Sequence, residues 1–433
     1  MCRWVDYLDY MSDLRVTRID RTPIELPFRE VPGRNLRRQL PHWKYFEIIE
    51  VELASGTVGY GEDMLYYGWG SVSEDDVERA LGSNAASLLW DDSLGSLQIA
   101  LFDAVGRELG VPVSDLVGER ERERVPVGWW CIDMPAEDWI AECETAINRG
   151  YTAVKLKGRP WFDVRENVAA LCEAVPEWFD IGIDFNHMLR DAERALPILS
   201  DIERHPQVTV LESPIPQENV EGNRALARAT DADLAQHNGR PAELSELTQL
   251  QTGMAEKFVL GTGGPEKIQR EAGLADTVDM PFWIQNLGLL TAVFWAHIGC
   301  TTSENTQPNV FCNHLFAESP LRESITVDGG TMRVPDGPGL GYEPDPEAVE
   351  RMRIERPPER PSPDRLIVTE WPDREPMYFA TGGTMDDMAQ AGEFPYFEHG
   401  VTTRLVPDDG SEEWTRLREL AADDPVEGRP EWW

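Results

Sequence analysis

Between Val125 and Gly299 the chain repeats one pattern seven times: a short apolar run, then a stretch whose apolar residues recur at helical spacing. The runs VPVGWW, TAVKLK, FDIGIDF, VTVLESP, ADLAQH, KFVLG and PFWIQN have strand length, and segments such as AEDWIAECETAINRG and VRENVAALCEAV follow them. Strand-then-helix units in series build a parallel sheet, because each helix carries the chain back to start the next strand in the same direction. Seven without a reversal favour a closed barrel over an open sheet. With Lys157, Asp184, Glu212, His237, Gly261 and Gln285 as successive strand ends, the steps are 27, 28, 25, 24 and 24 residues. In a barrel these positions share one rim, the rim on which active sites lie.

The flanks differ in texture. Residues 14–29 and 45–55 alternate apolar and polar side chains and read as half-buried antiparallel strands. Leu94 to Leu109 changes to helical spacing and is closed by Gly110 and Pro112. The expected organisation is an α+β unit over residues 1–125, the barrel over 126–345, and a segment over 346–433 rich in Pro, Asp and Glu. That last part shows weak strand signals at RLIVTEW and TTRLVP and a helix around Trp414–Leu420, and it reads as an appendage without a core of its own.

Composition excludes some partners. Seventy-eight Asp and Glu stand against 40 Lys and Arg, a formal net charge of −38 spread along the whole chain. Such a surface repels nucleic acid and anionic membranes, and suits high salt, where its self-repulsion is screened. No apolar run reaches the ~18 residues of a membrane span. The six cysteines form no CxxC pair and no signal segment is evident, so the expectation is a cytoplasmic protein with reduced thiols.

The strand ends carry the chemistry. Lys155 and Lys157 are two residues apart, so both project to one face, which in a barrel is the interior. Neighbouring ammonium groups depress each other's affinity for protons, and one becomes a usable base. Asp184, Glu212 and His237 end the next three strands, and side chains of these types after apolar runs suit a divalent cation. Asn186 lies two residues past Asp184 and points the same way, placed for substrate or for a metal-bound water.

Six motifs in order resemble the mandelate racemase and muconate lactonizing enzyme group of the enolase superfamily: GYGE at 59–62, ALFDAVGRELGVPVSDLVG at 100–118, VKLK at 154–157, IDFN at 183–186, LESP at 211–214 and VPDGPGLG at 334–341. The resemblance implies an α/β fold, a modified (β/α)7β TIM-type barrel with an N-terminal α+β capping domain. It implies Lys157 as base with Lys155 beside it, and Asp184, Glu212 and His237 around a divalent ion. Magnesium is the family's ion; a histidine in the third position leaves Mn²⁺ or another ion open. It also implies cap loops that select substrate, here roughly 23–44 with Arg34, Arg37, Arg38 and His42, and 62–72 with Tyr66, Tyr67 and Trp69. Arg34, His42, Asn186 and Gln285 are the expected substrate contacts, and a homo-oligomer is expected.

This sequence departs from the group's pattern on the far side of the barrel. The sixth and seventh strands end in Gly261–Thr262 and Gln285–Asn286, where the group commonly carries a His–Asp pair. His187 and His314 are weaker candidates for an acid, and His297 reads as a packing residue. With one face furnished, the expected reaction is metal-dependent dehydration of a sugar acid or related hydroxy acid through an enediolate. A racemase or epimerase of an α-substituted acid, and a ligand-binding member without turnover, are the alternatives.

Overall fold

The computed structural model describes residues 14–66, 71–237 and 244–433. Tyr67 and Trp69, expected in a specificity loop, lie outside them. The N-terminal unit is an antiparallel sheet in the order β1 (Val16–Glu25), β2 (Tyr45–Leu53), β3 (Val58–Met64). Helix Leu97–Leu109 lies across it, buried from Leu97 through Gly106. GYGE is the reason the two fit: a Cβ on Gly59 would sit 2.2 Å from the Ala104 nitrogen, and one on Gly61 2.7 Å from that of Ala100. Only glycine lets a helix backbone come so close to a strand.

The seven expected strands are β4 (Arg124–Cys131), β5 (Ala153–Lys157), β6 (Asp180–Asp184), β7 (Val208–Glu212), β8 (Asp233–His237), β9 (Lys257–Leu260) and β10 (Phe282–Ile284). They are parallel and hydrogen-bonded in sequence order. An eighth strand too short to read from sequence, β11 (Asn309–Val310), pairs with β4 and bridges to Gln285, which closes the barrel. Two residues offer few ladder bonds, and a side-chain amide makes up the deficit: Ile284 N donates to Asn309 Oδ1 at 2.6 Å while Asn309 Nδ2 donates to the Pro126 carbonyl at 2.9 Å. The fold is thus the expected (β/α)7β barrel with an α+β cap. A hairpin of β12 (Val327–Asp328) and β13 (Thr331–Arg333) pairs antiparallel with the first residues of β4.

Two expectations need correction. Residues 23–44 are not an open loop: helix Glu30–Gln39 occupies their centre, its residues Leu36 and Arg38 buried. The segment after Pro346 is more than an appendage. Helix Pro346–Met352 and Ile354, which donates to the Pro23 carbonyl, first return to the edge of the cap sheet. Beyond them a four-stranded antiparallel sheet forms in the order β16 (Thr402–Leu405), β14 (Ile367–Trp371), β15 (Arg374–Phe379), β17 (Val426–Glu427). Strand alternation divides its side chains. Ile367, Trp371, Met377 and Phe379 join the main core, while Leu366, Val368 and Tyr378 pack with Trp414, Leu417 and Ala421 of helix Glu412–Asp423 in a small core of their own.

This C-terminal unit sits on the rim at the C-terminal ends of the barrel strands. Gln390 Nε2 donates to the Asn186 carbonyl at 2.8 Å, Tyr396 OH to that of Leu189 at 3.0 Å, and Thr403 Oγ1 to that of Trp161 at 2.9 Å. The five cysteines among the described residues are buried and unpaired, and no described helix is long and apolar enough to cross a membrane.

Candidate active site

Parallel strands with inward side chains every second residue bring the rim groups together. Lys155 Nζ donates to Glu212 Oε1 at 2.6 Å and to Gln285 Oε1, and lies 3.4 Å from Asp184 Oδ2. Lys157 Nζ donates to Asp184 Oδ2 and, at 2.9 Å, to Asn186 Oδ1. Arg159 continues the same alternation and donates to Asn186 Oδ1 at 2.5 Å and to the Asp184 carbonyl at 3.1 Å. Gly158 between them is required, since a Cβ there would meet the Phe185 ring at 2.8 Å.

Burial shapes the charges. It pushes the Lys157 ammonium below its ordinary range; Asp184 opposes this, while Lys155 and Arg159 add to it. For Asp184 burial works against ionisation, but Lys157, Lys155 and Arg159 outweigh it and hold the carboxyl well below the usual range. Asn186 is kept in the left-handed region at φ 44°, its N–H donating to Asp184 Oδ1 at 2.8 Å. That is strain of the kind found where a side chain must be aimed.

Ligand atoms of Asp184, Glu212 and His237 all lie within 4.8 Å of one another, with both carboxylates buried. Atoms about 2.0–2.6 Å from a common ion have such separations, so the set fits one divalent cation. His237 Nδ1 is 3.2 Å from Glu212 Oε1, and the His237 N–H donates to Ser213 Oγ at 3.1 Å.

A cavity of about 690 Å³ opens onto this cluster. Lys157, Asn186, His237, Gln285 and His42 line it, and Lys155 stands behind. Burial, then the charges of Arg360 and Arg365, lowers the His42 imidazole to about 4. Arg34, expected at substrate, is not on the cavity wall: its Nε donates to Asp138 Oδ2 at 2.9 Å, tying the cap helix to a barrel helix. Arg37 is exposed, and Arg38 is buried against Asp133, to which Trp161 Nε1 also donates at 2.6 Å. In a chain this acidic, Arg34 and Arg38 each found a carboxylate first.

The other histidines separate as well. His187 lines the cavity. His314 stacks on Trp129 with centroids 3.8 Å apart and bonds the Trp130 carbonyl at 3.0 Å, a packing role. His297 is buried, accepting from Ser114 N at 3.3 Å and reaching the Leu340 carbonyl at 3.2 Å. Sequence reasoning missed Arg159, although the period of two that selected the lysines points to it. It missed Arg360, Arg365 and Thr381–Gly383, which reach the cavity from the C-terminal unit. Nothing local in the sequence marks those.

Residues 138–348 match the family described as enolase C-terminal domain-like. Muconate cycloisomerase 1-1 of Acinetobacter lwoffii is 27% identical over 385 residues, covering 79% of this chain and 97% of that protein. D-xylonate dehydratase of Haloferax volcanii is 24% identical over 396 residues, covering 80% and 94%. The solved muconate lactonizing enzyme of Pseudomonas fluorescens, complexed with muconolactone, superposes with a TM-score of 0.65 at 22% identity over 79% of this chain and 100% of its own. Over residues 138–348 the chain is a member of the enolase C-terminal domain-like family. Its matched relatives include both cycloisomerases and sugar-acid dehydratases, and each match leaves about a fifth of this chain uncovered.

Proposed function

We propose that this protein removes the proton α to the carboxylate of a small hydroxy acid, and that the reaction is dehydration of a sugar acid. The observation that carries the reading is the one-sidedness of the cavity. Lys157 faces it beside the Asp184, Glu212 and His237 cluster, while the opposite wall at Thr262, Gln285 and Leu287 offers no group that titrates near neutrality. Racemisation needs a proton donor on the second face; elimination does not.

Asp184, Glu212 and His237 would hold the cation, which neutralises charge developing on the substrate carboxylate as the α proton leaves. Two carboxylates and an imidazole suit magnesium less well than an all-oxygen set and favour Mn²⁺ or a similar ion. Lys157, entering as the neutral amine, takes the proton from the α carbon. The C–H electron pair passes into an enediolate of the substrate carboxylate; its return forms the new C=C bond as the β hydroxyl departs, and the Lys157 ammonium gives its proton to that hydroxyl as water forms. The enol product becomes a 2-oxo-3-deoxy acid. Lys155, held by Glu212 and Gln285 behind the cavity wall, adds positive potential on the side of the substrate carboxylate, and Asn186 with Arg159 holds Lys157 in line.

Incubation of the protein with Mn²⁺ or Mg²⁺ and a panel of sugar acids in high salt tests this. A 2-oxo-3-deoxy acid from one of them supports dehydration. Epimer formation without loss of water would replace it with the isomerase reading.

A further inference from the structure

The cavity reverses the charge of the chain. Acidic residues outnumber Lys and Arg by 78 to 40. Among the described residues, the cavity lining nonetheless contains Lys157, Arg159, Arg360 and Arg365 against one carboxylate, Asp386. Clefts lined by one sign of charge concentrate ligands of the other sign, here anions.

The four cations are not equivalent. Lys157 and Arg159 are buried at the floor and committed to Asp184 and Asn186. Arg365 is buried and braced, donating to the Arg38 carbonyl at 2.8 Å and to Ser362 Oγ at 3.2 Å. Arg360 is exposed at the cavity mouth and has no ion pair or hydrogen bond among the described residues. Thr381, Gly382 and Gly383, at the N-terminal end of helix Gly382–Ala391, close the same wall, and the helix dipole adds positive potential there.

We propose that Arg360, backed by Arg365, receives a second anionic group of the substrate, a carboxylate or phosphate at the end remote from the reacting carbon. The C-terminal unit is then the part of this protein that selects dianionic acids over monoanionic ones. The inference rests on the function proposed above, which puts the first carboxylate at the Lys157 end. A guanidinium is suited to either anion, since its fork of N–H donors matches two oxygens at once.

The test is calorimetric titration of the full metal-loaded chain, at one ionic strength, with D-gluconate, D-glucarate and 6-phosphogluconate. A dianion should bind about tenfold or more tightly than gluconate, the effect of one charge-assisted contact. Arg360→Ala should bring that advantage to within about twofold. Arg351→Ala, an exposed arginine paired with Glu318 outside the cavity, should retain it. Whichever of glucarate and 6-phosphogluconate carries the advantage identifies carboxylate or phosphate. No advantage in the wild type, no binding of either dianion, or an advantage that survives Arg360→Ala in a variant of unchanged melting temperature overturns the proposal. Deuterium exchange at the α carbon, followed separately on each acid, distinguishes the two claims. A dianion preference without exchange sinks the reaction and leaves the subsite, and exchange of gluconate without any preference sinks the subsite alone.

Discussion

Replacing His297 with Gln should remove part of the protein's acid sensitivity. The imidazole is buried on helix Leu290–Gly299; its Nδ1 accepts from Ser114 N, so its Nε2 carries the proton that meets the Leu340 carbonyl. Burial lowers its affinity for a second proton from 6.5 to about 4, with the Arg120 charge adding and Asp336 opposing. Between those two values the unfolded chain binds a proton at this site and the folded chain does not. Stability therefore falls as pH drops from 6.5 towards 4, and above 6.5 the site contributes no pH dependence. A depression of roughly 2.5 units corresponds to about 3 kcal/mol over that window. Gln can accept and donate at similar positions without titrating. Urea unfolding at pH 7.5, 6.5, 5.5 and 4.5 in constant high salt gives the assay. The wild-type advantage over Gln should be largest at pH 7.5 and shrink steadily towards pH 4.5. A difference that stays constant with pH would show that His297 does not enter the folded state neutral, and would refute the reasoning.

Two further outcomes follow from other contacts. His237→Ala should lose most of the metal-dependent rise in melting temperature, which at about a hundred times Kd is worth roughly 2.7 kcal/mol in the wild type; an unchanged rise would remove His237 from the metal set. Asp103→Ala should cost about 3–5 kcal/mol in urea unfolding, because the carboxylate accepts from Tyr60 N at 2.7 Å, Leu340 N at 2.6 Å and Arg107 Nε at 2.7 Å and so ties the cap to the 334–341 segment; a cost below about 1 kcal/mol would mean the three donors find other partners.

The barrel was legible because its signal is periodic and local. Each apolar run became a strand, and the KLK pair with Asp184, Glu212 and His237 converged because parallel strands in register bring their ends to one rim. Strand β11 was not legible: two residues carry no pattern, and what closes the barrel there is the Asn309 side chain. Arg34 of helix Glu30–Gln39 is a substrate contact by sequence position alone, because position says which charges lie in the cap, not which carboxylates they will meet. Asp138 and Asp133, a hundred residues further along, decided that. Arg360 and Arg365 were invisible for the converse reason. They enter the cavity because β14, β15 and helix Gly382–Ala391 dock on the rim, through apolar side chains such as Trp371 and Phe379 in the main core and bonds such as Gln390 to the Asn186 carbonyl, all between residues far apart in the chain. Short-range periodicity contains no trace of it.

The central claim is that Lys157 removes an α proton. The direct measurement is incorporation of solvent deuterium at the α carbon of a bound sugar acid, by proton NMR in D₂O with divalent metal present, for the wild type and for Lys157→Ala. Exchange in the wild type that falls by roughly 10²–10⁴-fold in a folded, metal-binding Lys157→Ala protein is the predicted result. Exchange that persists undiminished in the variant, or a wild type that binds acid and metal without exchanging, would contradict it.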